Sequence, residues 1–97
     1  MPYNLIIKEE ARQDLLEAYI YYERQQSGLG ERFLAAVQSR LANIADHPEY
    51  YGYVDDKHFL RDVTINDFPY VVIYEIVGTV VLIYAFHLTH RRPHDGA

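Results

Sequence analysis

The sequence predicts an α+β domain in which a helical hairpin packs on one face of a mainly antiparallel sheet, in the order β-α-α-β-β-β. Apolar residues recur at helical spacing in the first half of the chain and at alternate positions in the second half. Short turns containing glycine or proline separate the segments. With 97 residues and 49% hydrophobic residues, the chain suits a single compact domain, residues 1–97.

The first strand is predicted at residues 3–7, and a helix follows it from Glu9. The apolar positions of this helix recur at helical spacing: Ala11, Leu15, Ala18 and Tyr22. Residues 27–30, "SGLG", break it, and a second helix runs from Glu31 until Pro48 stops it. The apolar stripe of the second helix is Phe33, Val37, Leu41 and Ile44. So short a link predicts an antiparallel hairpin.

Three strands are predicted after the polar and aromatic loop 49–57, at residues 59–65, 70–76 and 79–87. Short turns join them into an antiparallel meander. The last two strands are apolar on both faces, and a helical hairpin covers only one face of a sheet. We therefore expect a loop, a twisted strand or a partner to cover the other face, and a homodimer through that face would meet the same need.

The composition excludes several classes of function. Without cysteine the chain has no disulfide, zinc-thiolate site or cysteine catalysis, and no apolar run approaches the roughly 20 residues that span a bilayer. The first residues are too quickly charged for a signal peptide, so we expect a cytoplasmic protein with no membrane partner. The net charge of −5 argues against generic nucleic-acid binding. The excess of acid lies in residues 1–56, with ten acidic and five basic residues, whereas residues 57–97 carry four of each.

Arg61 is the charged residue in an otherwise apolar strand face, which it shares with Phe59, Val63 and Ile65. A charge in such a place pairs, extends to solvent or serves a binding site. One interpretation is a structural ion pair with Glu75 on the next strand. The other is contact with a phosphate or substrate.

The final segment, "HLTHRRPHDG", holds three histidines at spacings of three and four residues. Such spacings bring ligands together on a helix, but Pro93 argues against a helix here. Asp95 is the one carboxylate nearby, and an isolated trio of histidines is weak evidence for a metal. We therefore expect that His87, His90 and His94 do not form a metal site, and that the protein uses no cofactor.

Tyrosine occurs ten times in the chain and is concentrated in two stretches. It combines a large contact area with a polar tip and is favoured at interfaces. Burial in the core is the alternative interpretation, and it suits Tyr19 and Tyr22 of the first helix better than the loop residues Tyr50, Tyr51 and Tyr53.

Taken over nearly its full length, the chain resembles the ParE/RelE superfamily of toxins from bacterial type II toxin-antitoxin modules. Four stretches carry the resemblance, in this order: "EEARQDLLEAYIYYE" after the first strand, "GERFLAAVQSRLANIADHPE", "LRDVTINDFPYVVIYEI" and the closing "HLTHRRP". One series of residues is more similar to ParE than to RelE. It runs from Arg61 through residues 68–70, Tyr74 and His87 to residues 91–93.

In the ParE branch, the resemblance implies a growth-arresting toxin that inhibits DNA gyrase, has no chemistry of its own and is wrapped by a cognate antitoxin, with a link to plasmid stabilization. The residues that would contact the target are then Arg61, Tyr74, His87, His90, Arg91 and Arg92. The basic pair Arg91 and Arg92 is otherwise interpreted as a solvated chain end.

In the RelE branch, the resemblance implies an endoribonuclease that cleaves mRNA on the ribosome. Cleavage at the 2′-hydroxyl needs a base, an acid and cations that stabilise the phosphorane. Arg61 would then act as the clamp and His87 as the acid or base, while Lys57 supplies further charge. The third alternative is a degenerate, non-toxic member of the family that only binds a partner.

Overall fold

The computed structural model of the protein describes residues 3–89. Within this range lie four strands, two α-helices and a 3₁₀ turn. In chain order they are β1 (Asn4–Ile7), α1 (Glu9–Gln25), α2 (Leu29–Asp46), the 3₁₀ turn (Pro48–Tyr50), β2 (Arg61–Thr64), β3 (Tyr70–Val77) and β4 (Val80–Leu88). The predicted order β-α-α-β-β-β and the predicted α+β class are confirmed.

The four strands form one sheet in the order β1-β4-β3-β2. β1 runs parallel to β4, and the pairs β4–β3 and β3–β2 are antiparallel, so the sheet is mainly antiparallel as predicted. β4 carries an irregularity that its sequence does not reveal. Tyr74 pairs with Ile83 and Ile73 pairs with Ala85, which leaves Tyr84 as an extra residue in a β-bulge.

The link between the helices is shorter than predicted, because α2 begins at Leu29 rather than Glu31. Gly28 adopts a left-handed φ of 89°, which makes the turn, and the Glu23 carboxylate accepts hydrogen bonds from the backbone N–H groups of Gly28 and Gly30. Gly30 instead lies inside α2, where a Cβ atom would be 2.8 Å from ring carbons of Tyr19. This glycine therefore allows the close approach of α1 and α2.

Both helices pack on the same face of the sheet. All four residues of the predicted α2 stripe are buried, and the predicted α1 stripe contributes Ala11 and Ala18, with Leu15 and Tyr22 packed against them. The sheet side of this core is formed by Ile65, Val72, Tyr74, Val81, Ile83 and Phe86. The members of this set that belong to β3 and β4 all lie on the same face of the sheet. This follows because residues paired across two strands share a face, while successive residues along one strand point to opposite faces.

The opposite face of the sheet is apolar and lies outside the core. Ile73 of β3 and Leu82 of β4 point to this face and remain partly exposed, and Ile6 of β1 beside them is exposed. No helix among residues 3–89 packs on this side. None of those helices is long and apolar enough to cross a membrane.

Candidate functional site

Arg61 ties the start of β2 to the loop that precedes it. Its Nη1 donates hydrogen bonds to the backbone carbonyls of Glu49 (3.2 Å) and Tyr51 (2.6 Å), and its Nη2 donates one to the Tyr53 hydroxyl (2.7 Å). The guanidinium also lies 4.0 Å from the centroid of the Tyr53 ring, within the range of a cation–π interaction. Both terminal nitrogens are therefore engaged within the protein.

The interpretation of Arg61 as the ion-pair partner of Glu75 is wrong. Arg61 pairs with Tyr74 across β2 and β3, so it lies on the helix-covered face, whereas Glu75 follows Tyr74 and points to the other face. There the Glu75 carboxylate accepts a hydrogen bond of 2.7 Å from the Tyr84 hydroxyl, and this bond raises the pKa of Tyr84.

Tyr74 lies in the centre of the core and is fully buried. Its hydroxyl donates a hydrogen bond of 2.7 Å to the backbone carbonyl of Pro48, and burial raises the pKa of this phenol well above its usual value. Tyr74 thereby fastens the turn after α2 to the sheet. In this structure it has no exposed surface with which to contact a target.

His87 lies near the end of β4 and is exposed. It pairs with Val71, which places its side chain on the face opposite Arg61. Along β3, the residue that pairs with His87 lies three positions from the residue that pairs with Arg61, which is an offset of about 10 Å. Across the sheet, β4 and β2 are two strand spacings apart, which is again about 10 Å. The structure therefore does not bring these two predicted site residues together.

The remaining predicted site residues divide into two groups. Lys57 is exposed in the loop between the 3₁₀ turn and β2. His90, Arg91 and Arg92 lie outside the described residues, as does His94 of the histidine trio. Within residues 3–89, no three histidine or acidic side chains are placed to hold a metal ion together.

Like Arg61, Arg40 of α2 uses its guanidinium to connect parts of the same chain, and this role was not predicted from the sequence. Its Nε donates to the carbonyl of Thr64 and its Nη2 to Oδ1 of Asn66, both at 2.8 Å, while Nη1 reaches the Tyr51 hydroxyl at 3.4 Å. These bonds join α2 to the end of β2 and to the loop. The helical spacing does indicate that Arg40 lies close to the core, because it follows the buried Val37 by three residues and therefore lies near the buried stripe.

A cleft of about 770 Å³ lies between α1 and the adjoining ends of β3 and β4. Aromatic residues line much of it, including Tyr21, Tyr22 and Tyr70, and the carboxylates of Asp14 and Glu17 lie along its α1 side. The Asp14 carboxylate also accepts a hydrogen bond of 3.1 Å from the backbone N–H of Phe86, which fixes α1 to β4. The cleft is described for residues 3–89 alone.

Comparison with known proteins identifies the family. The family model described as "ParE toxin of type II toxin-antitoxin system, parDE" matches residues 5–93. The chain belongs to this ParE toxin family. It is thus a toxin of the type II toxin-antitoxin class, as the sequence resemblance predicted. A sequence search of curated proteins finds no match.

Two solved structures share the fold of this ParE family member. The structure of the chromosomal ParDE toxin-antitoxin system from P. aeruginosa aligns with a TM-score of 0.68 at 18% identity, covering 91% of this chain and 97% of that chain. The toxin-antitoxin complex RelBE2 from Mycobacterium tuberculosis aligns with a TM-score of 0.64 at 21% identity, covering 92% and 100%. At these identities the likeness concerns the fold, which the ParE and RelE systems have in common.

Proposed function

We propose that this ParE family member acts in the cytoplasm by inhibiting DNA gyrase, and that a cognate antitoxin neutralises it. The match of the ParE family model to residues 5–93 carries the proposal. The site geometry supports it, because gyrase inhibition requires a binding surface and no catalytic acid or base.

The separation of Arg61 from His87 argues against the RNA-cleaving alternative. Cleavage of RNA needs an acid or base and a cation within reach of the same phosphate. These two residues lie on opposite faces of the sheet and about 10 Å apart in each direction. Arg61 also donates to backbone carbonyls, so its charge is directed into the protein.

The open apolar features support a protein partner. The helix-free sheet face and the cleft beside α1 both leave apolar surface uncovered by residues 3–89. An antitoxin segment that lies in such a groove buries its side chains and often adds backbone pairing. The two solved structures named above are described as toxin-antitoxin systems, which agrees with this proposal. A homodimer through the open sheet face stays a prediction.

Expression of the protein without an antitoxin is expected to arrest growth and to induce the DNA-damage response. Under the same conditions, His87→Gln is expected to arrest growth almost as fully as the wild type, because no proton transfer depends on this imidazole. An RNA-cleaving toxin would lose roughly 100-fold to 10,000-fold in rate without its acid or base. The measurements are growth curves, a damage-responsive reporter and sequencing of mRNA 5′ ends.

Two outcomes would contradict the proposal. Codon-specific cleavage of translated mRNA that disappears in Arg61→Ala or His87→Gln would assign the protein to the RelE branch. Normal growth at a verified level of folded toxin, with neither DNA damage nor mRNA cleavage, would assign it to the class that only binds a partner.

A further inference from the structure

Four large apolar side chains project from the loop that connects α2 to β2. We call Tyr50, Tyr53, Val54 and Phe59 the loop patch. Tyr50 is 81% exposed and Phe59 is 59% exposed, while Tyr53 and Val54 are each exposed over about half of their surface. Single exposed apolar residues are common on proteins, but several in one short loop indicate an interaction surface.

The loop is held in a defined conformation by its own hydrogen bonds. Oδ1 of Asp55 accepts two of them at 3.0 Å, from the backbone N–H groups of Phe59 and Leu60, and these bonds lower the pKa of Asp55. The backbone N–H of Val54 donates to the carbonyl of Leu60 at 2.8 Å. The apolar side chains thus project from a fixed turn.

Arg61 also holds the beginning of the loop, residues 49–53, in a defined conformation. Its bonds to the carbonyls of Glu49 and Tyr51, and to the hydroxyl of Tyr53, hold both halves of the loop against β2. A surface that is already ordered loses little conformational freedom when it binds. Aromatic anchors on such a surface commonly supply most of the binding free energy.

The charges around the loop patch favour a protein partner over a nucleic acid. Residues 49–61 carry three carboxylates and two cationic side chains, and the guanidinium of Arg61 is turned toward backbone carbonyls. Asp56 and Glu49 are both exposed beside the patch. This excess of carboxylates disfavours contact with phosphates, whereas an apolar surface bordered by lysine or arginine would complement the charge.

We propose that the loop patch anchors the toxin on its target protein, DNA gyrase, by packing Tyr50 and Phe59 against an apolar surface with a basic border. This inference rests on the proposed function and adds the contact surface to it. The cleft beside α1, one of the two surfaces that suit an antitoxin segment, is not lined by Tyr50 or Phe59.

The test compares the binding of immobilised gyrase to three purified proteins: the wild type, a Tyr50→Ser/Phe59→Ser variant and a Leu16→Ser/Ile20→Ser variant. The last is the matched control, because Leu16 and Ile20 of α1 are also exposed apolar residues, at 53% and 40%. The patch variant, which lacks both anchors, is expected to bind about 30-fold more weakly, a combined loss of about 2 kcal/mol. The control is expected to bind like the wild type, and circular dichroism verifies that all three are folded.

Each other outcome overturns a defined part of the argument. Equal binding by the wild type and the patch variant would overturn the inference alone, and so would an equal loss in both variants. Failure of the wild type to bind gyrase would overturn the proposed function and this inference with it. Binding to single-stranded RNA that the patch variant loses would show that the loop stacks on bases instead.

Discussion

Tyr74→Ala is expected to lower the free energy of unfolding by about 3–5 kcal/mol, the usual cost of deleting a large buried aromatic side chain. The substitution removes a fully buried ring from the middle of the sheet and leaves the carbonyl of Pro48 without its hydrogen bond. Since small domains have about 5–15 kcal/mol of stability in total, this variant should be close to unfolding at 37 °C. Urea denaturation followed by circular dichroism measures the change.

Two further substitutions separate the contribution of the buried ring from that of its hydroxyl group and from the loss of any tyrosine. Tyr74→Phe keeps the ring and removes the hydroxyl, so it should cost only about 1 kcal/mol, the typical net value of one hydrogen bond. Tyr50→Ala removes the same residue type from an exposed position and should change stability by no more than about 0.5 kcal/mol. A Tyr74→Ala variant as stable as the wild type would refute the structural role of this residue.

Arg61→Ala is expected to lower the free energy of unfolding by about 2–3 kcal/mol. The variant leaves the carbonyls of Glu49 and Tyr51 without their donor and removes the cation–π contact with Tyr53. The loop before β2 should loosen as a result, and amide hydrogen exchange should accelerate at residues 52–60. Lys57→Ala removes an exposed cation from the same loop and serves as the matched control, with an expected change within about 0.5 kcal/mol.

A double-mutant cycle gives the sharper form of this prediction. Arg61→Ala and Tyr53→Phe remove the two sides of the hydrogen bond between the guanidinium and the Tyr53 hydroxyl, so their effects should fall short of additivity. Full additivity would show that the hydrogen bond between Arg61 and the Tyr53 hydroxyl contributes nothing to stability. An Arg61→Ala variant with unchanged stability and lost toxicity would indicate instead that Arg61 contacts the target.

The helices and their buried faces were predictable because the helical period is a property of the local sequence. The stripe from Phe33 to Ile44 in α2 is buried as its spacing predicts. The order of the strands along the chain was predictable for the same reason, since alternation and turn residues are local signals. The parallel pairing of β1 with β4 is a tertiary contact that the local pattern did not predict. The start of α2 was misplaced because Gly30 resembles a turn residue although it serves helix packing.

The register between β2 and β3 was not predictable from pattern. The turn between them places odd-numbered residues of β2 opposite even-numbered residues of β3, and Asp67 within it has a left-handed φ of 71°. A difference of one residue moves a side chain to the other face of the sheet. The interpretation that paired Arg61 with Glu75 is wrong for this reason.

The roles of the candidate site residues depend on tertiary contacts that no spacing encodes. The 3₁₀ turn and the loop after it fold back on β2 and β3, where Pro48 meets Tyr74 and Tyr51 meets Arg61. The alternation of β2 singled out Arg61 and the resemblance to the family added Tyr74, and the structure shows how each is held. The part of the predicted site at residues 90–92 lies outside the described residues.

The central claim, that this ParE family member inhibits gyrase by binding it, is tested most directly by a supercoiling assay with purified gyrase, relaxed plasmid and ATP. The wild-type protein is expected to slow supercoiling in proportion to its concentration, and the purified cognate antitoxin should restore the rate. His87→Gln should inhibit like the wild type, and the Tyr50→Ser/Phe59→Ser variant should need about 30-fold more protein. Supercoiling at the full rate in a large molar excess of folded toxin, together with cleavage of mRNA on translating ribosomes, would contradict the account.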